Sequence, residues 1–208
     1  TSARDVTVGG LARSVSDTAD AWMTPSGLAA LPAMSSGYEM LHCNLSEAYS
    51  VEDYERIVAE YASSHPDEGW VVGGGWSMDV FPGGNPPKEV LDAVVRDRPV
   101  YLTSRDGHSA WANSRAFEIA GLTRETPDPV DGWIVRDEAG EPAGTVHEGA
   151  FLLIERHVPD PTLSDWVEGL RVAQRHLHSL GITAWQDAHV GGSYPTFDAY
   201  AQLAASGE

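Results

Sequence analysis

The segments PVYLTSRDGHSAWANS (99–114) and AGTVHEGA (143–150) are the part of this sequence that decides its fold and its candidate site. Each contains an apolar run that predicts a β-strand, and each run ends in a polar cluster, RDGHS in the first segment and HE in the second. In α/β proteins, ligand-binding groups gather at the carboxyl ends of strands. The two clusters are therefore predicted to be two parts of one functional site.

Helices and short strands alternate on both sides of this stretch, which indicates the α/β class. One helix is predicted to begin after Ser50, the N-cap, and to stop at His65-Pro66. Hydrophobic spacing predicts further strands at 38–45, 70–76, 99–104 and 182–187, a hairpin of 133–137 with 143–146, and helices at 88–96, 113–120, 148–158, 162–180 and 194–205.

The chain of 208 residues is long enough for one large domain or two small ones. Residues 1–36 are poorly patterned and form an N-terminal segment of their own. Residues 37–160 contain both polar clusters and are predicted to form an α+β subdomain. Residues 161–208 are predicted to form a helix–strand–helix unit.

The composition excludes several classes of function. A net charge of −18 argues against nucleic acid and anionic membrane surfaces as partners. The partner that we expect is a small-molecule substrate. The single cysteine, Cys43, excludes an intrachain disulfide and a multi-cysteine metal site. No apolar run reaches about 18 residues, and no signal peptide is visible, so we expect a cytoplasmic protein. Assembly into a homodimer stays open.

The first cluster offers His108 as a candidate site residue. A neutral histidine after a strand can bind a metal, donate a hydrogen bond to a substrate oxygen or shuttle a proton. The alternative is a loop histidine that bonds to the backbone. Trp111 and Asn113 follow at once, and an aromatic ring beside an amide is common in ligand pockets. Asn113 could equally cap the helix after it.

The second cluster, His147-Glu148, places a carboxylate at a predicted strand end, where it could ligate a metal or act as a base. The alternative is that Glu148 lies in the first turn of a helix. His176 and His178 are rejected as ligands, because residues two apart on a helix point in different directions. Asp187 and His189 follow the predicted strand 182–187 and either line the same site or form a turn.

Six segments carry a resemblance to a known family. They are WVVGGGW (70–76), LD to RPV (91–100), DGHSAWANS (106–114), TPDP (126–129), RDEAGEPAG (136–144) and LGIT (180–183). In this order, across about residues 38–208, they resemble the amidohydrolase family 3 branch of the amidohydrolase superfamily. This branch contains metal-dependent hydrolases, including N-substituted formamide deformylases.

The resemblance implies part of a (β/α) barrel with an inserted α+β subdomain, namely residues 37–160. It implies one or two divalent metals, with zinc expected, and hydrolysis of C–N bonds in amide-like, non-peptide substrates by metal-activated water. Glu148 matches a metal ligand, and His108 matches a catalytic histidine that faces the substrate. Trp76, Trp111 and Asn113 match substrate-binding positions beside it.

Two departures from the family pattern bear on function. The family's His-x-His pair is expected before residues 38–45, but residues 27–34 read GLAALPAM. The later barrel strands, which carry further histidine ligands and a catalytic aspartate, have no counterpart up to Glu208. We therefore expect an internal portion of a hydrolase, inactive alone, with an incomplete metal site. The alternative is a non-catalytic binding or regulatory module that keeps the fold without the ligands.

Overall fold

The computed structural model describes residues 43–46, 48–187 and 195–207. Their contacts divide them into two compact units, His42–Asp160 and the described part of the segment from Pro161 onward. Residues 1–36, residues 38–42 of the predicted strand 38–45, and His189 lie outside the described residues.

The unit His42–Asp160 is built on one mixed sheet of six strands in the order β1-β2-β3-β4-β6-β5. The first three strands pair in parallel, and all pairs beyond β3 are antiparallel. The strands are β1 (Cys43–Asn44), β2 (Val71–Trp76), β3 (Val100–Ser104), β4 (Ser109–Ala112), β5 (Gly132–Arg136) and β6 (Pro142–Glu148). This sheet and its helices confirm the α/β class, whereas the barrel and the insertion stay predictions.

Strand β4 was not predicted from the sequence. The prediction was a strand at 99–104, a polar segment after it and a helix that begins at 113. The chain turns back at Gly107, whose φ of +76° is a conformation that glycine adopts readily, and Ser109–Ala112 then pairs antiparallel to β3. All four residues of β4 are buried between β3 and β6. Pairing on both sides explains why this short segment is a strand.

The helices of this unit are α1 (Val51–Ser64), α2 (Lys88–Val94), α3 (Ser114–Ala120) and the short α4 (Leu152–Glu155). The Ser50 side chain accepts a hydrogen bond from the Asp53 amide, as its predicted N-cap role requires. Helix α3 ends at Gly121 in the left-handed conformation, the predicted stop.

The sheet carries an apolar core on each face, because successive strand residues point to opposite sides. Leu102 and Trp111 pack into one core with Tyr54 and Leu91 from α1 and α2. On the other side, the second core combines Tyr101, Ala110 and Val146 with Phe117 of α3 and Ile154 of α4. The helices are therefore held to the sheet by burial of their apolar faces.

The predicted helix over 148–158 is wrong in its first half. Strand β6 extends through Glu148, a 3-10 turn covers Gly149–Phe151, and α4 is only four residues long. The amides of His157 and Val158 then bond three residues back, so the chain tightens and does not continue as an α-helix.

The second unit contains α5 (Leu163–Ser179) and α6 (Thr196–Ser206), both predicted from the sequence. Helix α5 opens with a capping box between Thr162 and Asp165. The predicted strand 182–187 is wrong, since these residues form no strand. A strand needs a paired neighbour, and every strand that the structure describes belongs to the other unit. No helix among the described residues is long and apolar enough to cross a membrane.

Candidate site at the ends of strands β4 and β6

Antiparallel pairing of β4 with β6 brings the two polar clusters together. Ser109 lies opposite His147 in the ladder, and the Glu148 amide donates to the His108 carbonyl at 2.9 Å. The His108 ring nitrogen Nδ1 is 3.2 Å from the Glu148 carboxylate. The structure thus places side by side the two residues that the sequence selected as catalytic and metal-binding candidates.

The turn before His108 is fixed by side chains. Asp106 Oδ1 accepts hydrogen bonds from Ser104 Oγ at 2.6 Å and from the His108 amide at 3.1 Å. Ser104 Oγ in turn accepts from the Ser109 amide at 3.0 Å. Burial acts to raise the pKa of Asp106, but these hydrogen bonds outweigh it and hold the pKa below its ordinary value. Asp106 therefore shapes the turn as an anion.

His108 and Glu148 form an accessible pair, with 66% and 48% of their side chains exposed. The hydrogen bond that His108 donates to Glu148, and the charge of that carboxylate, raise the pKa of His108. Such a pair can hold a proton near neutral pH and can present a carboxylate and an imidazole to one ligand.

His147 has a different role from that of its neighbour Glu148, although the sequence treated them as one cluster. Its Nδ1 lies 2.8 Å from Ser109 Oγ, and its Nε2 lies 2.8 Å from Asn85 Oδ1. The Trp133 ring stacks on the imidazole with centroids 4.4 Å apart. Burial lowers the pKa of His147, which favours the neutral ring, and both ring nitrogens have a hydrogen-bond partner.

Trp76 and Trp111, predicted to bind substrate, lie in the apolar core of this unit and are fully buried. Trp76 Nε1 donates to the Leu102 carbonyl at 2.9 Å, and Trp111 Nε1 donates to the Pro87 carbonyl at 3.0 Å. Their substrate-binding role stays a prediction, and packing already accounts for both residues.

Asn113 is also fully buried, and it follows the capping alternative. Its Oδ1 accepts from the amides of Val100 and Ala116, and the second bond caps α3. Its Nδ2 donates to the carbonyls of Val95 and Arg98. With every hydrogen-bonding position used, Asn113 ties α3 to β3 and to the end of α2, and its substrate-binding role stays a prediction.

The remaining candidates lie in the second unit. His176 and His178 occupy the last turn of α5, as expected for helix-end residues. Asp187 accepts a hydrogen bond from the Tyr200 hydroxyl at 3.3 Å.

A divalent metal needs three or more protein ligands in most hydrolytic sites. No group of three His, Cys, Asp or Glu side chains within the described residues could hold a metal ion. His108 and Glu148 supply two donors side by side, and the other nearby histidine, His147, has both ring nitrogens occupied. The described residues therefore do not form a complete metal site.

Asn85, Ser109 and Trp133 surround the imidazole of His147, and the sequence did not single them out. A signal for one of them was present: in Ser109-Ala110-Trp111-Ala112, alternate residues share a face, so Ser109 had to lie on the Trp111 side of the sheet. Asn85 lies in a loop far away in sequence, and nothing local indicates its contact with His147.

Comparison with known proteins supports the earlier resemblance. The Amidohydrolase family model matches residues 33–208. The amidohydrolase YtcJ of Bacillus subtilis (strain 168) is 32% identical over 187 residues, which cover 79% of this chain and 35% of that protein. The N-substituted formamide deformylase of Arthrobacter pascens is 28% identical over 157 residues, which cover 73% of this chain and 29% of that protein.

A solved structure of an uncharacterized metal-dependent hydrolase from Pyrococcus furiosus is similar with a TM-score of 0.52 and 26% identity, covering 84% of this chain and 33% of that one. The chain thus spans between 29% and 35% of the length of these three proteins. The family match extends over most of the sequence and includes His108, which directly precedes β4, and Glu148, the last residue of β6. The chain belongs to the amidohydrolase family.

Proposed function

We propose that this chain is part of a metal-dependent hydrolase that cleaves C–N bonds in amide-like, non-peptide small molecules. Membership of the amidohydrolase family supports hydrolysis of C–N bonds. The similarity to a metal-dependent hydrolase supports a divalent metal, and we propose zinc. The observation that carries the proposal is the accessible His108–Glu148 pair at the ends of β4 and β6.

In this proposal Glu148 is a metal ligand and His108 contacts the substrate. An exposed carboxylate with a histidine at 3.2 Å suits such roles, because neither group is used up by packing. The remaining metal ligands would come from outside the residues that the structure describes. Ligands supplied from elsewhere would explain why the described residues form no complete metal site.

The test compares the full-length protein with two single variants, Glu148→Ala and Glu118→Ala. Glu118 is an exposed glutamate on α3 that pairs with Arg115 at 2.9 Å, so it is a matched control for loss of a surface ion pair. Metal content is measured by elemental analysis, and turnover is measured as amine release from a panel of simple amides and N-substituted formamides.

We expect the wild type and Glu118→Ala to hold metal and to hydrolyse at least one panel member, and Glu148→Ala to lose both properties. Unchanged metal content in a folded Glu148→Ala protein would remove Glu148 from the site. A full-length wild type with neither metal nor turnover would favour the non-catalytic binding or regulatory module instead.

A further inference from the structure

A buried chain of hydrogen bonds crosses β4, β6 and the loop before α2. Ser109 is 1% exposed and His147 is 7% exposed. Asn85 Nδ2 donates to the Gly83 carbonyl at 3.1 Å, which turns Oδ1 toward His147. Since Oδ1 can only accept, His147 Nε2 carries the proton, and Nδ1 accepts from the Ser109 hydroxyl. The hydrogen bonds therefore all point in one direction, from Ser109 through His147 to Asn85.

The same arrangement, a serine next to a histidine that an amide orients, is also found where a serine is activated as a nucleophile. Burial excludes that role here. Ser109 lies within a strand that is paired on both sides, and the Trp133 ring stacks on the imidazole of His147. Ser109 is buried, so no substrate atom can reach its Oγ while these residues cover it. The chain of hydrogen bonds must act on its surroundings rather than on a ligand.

The surroundings include a strained residue, Glu148, whose φ of 50° and ψ of −137° are uncommon for a residue with a side chain. Backbone hydrogen bonds hold it on both sides: the Glu148 amide donates to His108, and the Gly149 amide donates to the Asp131 carbonyl at 3.1 Å. Gly132 makes room, because a Cβ there would lie 2.4 Å from the His147 carbonyl oxygen. Such strain persists only where neighbours enforce it.

We propose that Ser109 and Asn85, acting through His147, are positioning residues that hold Glu148 in this backbone conformation and direct its carboxylate to His108. In this proposal, the hydrogen-bonded imidazole fixes residue 147 in the ladder and so limits the backbone conformations open to residue 148. The Glu148 carboxylate then lies at the surface beside His108, while the imidazole of His147 stays buried. The consequence for metal binding rests on the proposed function; the effect on the backbone does not.

The backbone effect is measured by NMR on the 208-residue chain. A residue with positive φ shows a strong intraresidue cross-relaxation peak between its amide proton and Hα. We expect this peak for Glu148 in the wild type and its loss in Ser109→Ala and Asn85→Ala. Asn85→Asp keeps an acceptor for His147 Nε2 and should restore the peak.

Thr145→Val is the matched control. Thr145 is buried on β6, the strand that also contains His147, and its Oγ1 donates to the Pro86 carbonyl at 2.9 Å. Thr145→Val therefore also loses one buried hydrogen bond to the loop that contains Asn85. The peak should persist in Thr145→Val. Persistence of the peak in both Ser109→Ala and Asn85→Ala would overturn the proposal, and so would its equal loss in Thr145→Val.

The effect on the site is measured in the full-length protein by competition for Zn²⁺ with a chelator. We expect the zinc dissociation constant to rise by about 10–100-fold in Ser109→Ala, as for other residues that orient a metal ligand, and to stay unchanged in Thr145→Val. Equal zinc affinity in Ser109→Ala and wild type would overturn the positioning role in the site. A wild type without zinc or turnover would instead overturn the proposed function, and the NMR result would stand separately.

Discussion

The Glu148 carboxylate meets His108 Nδ1 at 3.2 Å across 40 positions of sequence, and it does so from a backbone conformation that is costly for glutamate. Glu148 is the one non-glycine residue with positive φ in the part of the chain that the structure describes. Strain of this kind clusters at functional sites, where the surroundings over-determine it. The strain and the exposed charge pair therefore identify the same residue independently.

Replacement of Glu148 by glycine should stabilise the protein relative to replacement by alanine. Both variants remove the carboxylate, so only the backbone differs between them. Glycine relieves strain of about 1–3 kcal/mol, partly offset by the greater freedom of glycine in the unfolded chain. We expect Glu148→Gly to exceed Glu148→Ala by about 1–2 kcal/mol in free energy of unfolding.

The measurement is amide hydrogen exchange of β4 and β6 under conditions where exchange needs global unfolding of their unit. Gly132→Ala is an informative contrast, since it should be destabilising for a steric reason. An alanine variant as stable as the glycine variant would show that residue 148 carries no strain.

His108 and His147 should titrate on opposite sides of the ordinary histidine pKa. The hydrogen bond to Glu148 raises the pKa of His108, whereas burial lowers that of His147. His108 thus contributes stability that is fully present below about pH 6.5 and is lost as the pH rises through its higher folded-state pKa. His147 contributes stability that is present above about pH 6.5 and is lost as the pH falls through its lower folded-state pKa.

An NMR titration of the two imidazole rings tests this order directly. Glu148→Gln should lower the midpoint of His108 more than that of His147, because Glu148 is the main cause of the first shift and burial of the second. Glu118→Gln should move neither midpoint. Coincident midpoints in the wild type would mean that the two histidines share one environment, contrary to the structure.

The sequence predicted those parts of the fold that local chemistry determines. Ser50 and Gly121 each mark a helix end through their own hydrogen-bonding or backbone properties, and both appear where expected. The hairpin of β5 and β6 follows from alternation on either side of a turn. The pairing of His108 with Glu148 was also foreseeable, because both residues end predicted apolar runs.

The sequence could not predict features that depend on distant partners. Strand β4 is short and polar at its start, and only its pairing with β3 and β6 makes it a strand. The environment of His147 depends on Asn85, which is 62 positions away. Conversely, 182–187 has strand-like composition and forms no strand in its own described unit, because composition cannot supply a pairing partner.

Trp111 and Trp133 provide the sharpest test of which aromatic residues are core. Trp111 is fully buried and donates a hydrogen bond to Pro87, whereas Trp133 is 49% exposed on the edge strand β5. Trp111→Ala should lower the free energy of unfolding by about 3–5 kcal/mol, the usual cost of deleting a buried aromatic ring. Trp133→Ala should cost about 1 kcal/mol, mainly through its lost stacking on His147.

Both changes in the free energy of unfolding are measured by urea unfolding. Hydrogen exchange in β3 and β4 is the probe, because these strands belong to the unit that contains both rings. The comparison is matched in residue type, so the difference reports mainly the burial of Trp111 together with its hydrogen bond to Pro87. A small cost for Trp111→Ala would mean that this ring is not part of the core. That result would favour the substrate-binding role that the resemblance implies for Trp111, because a residue that packing does not require can contact a substrate.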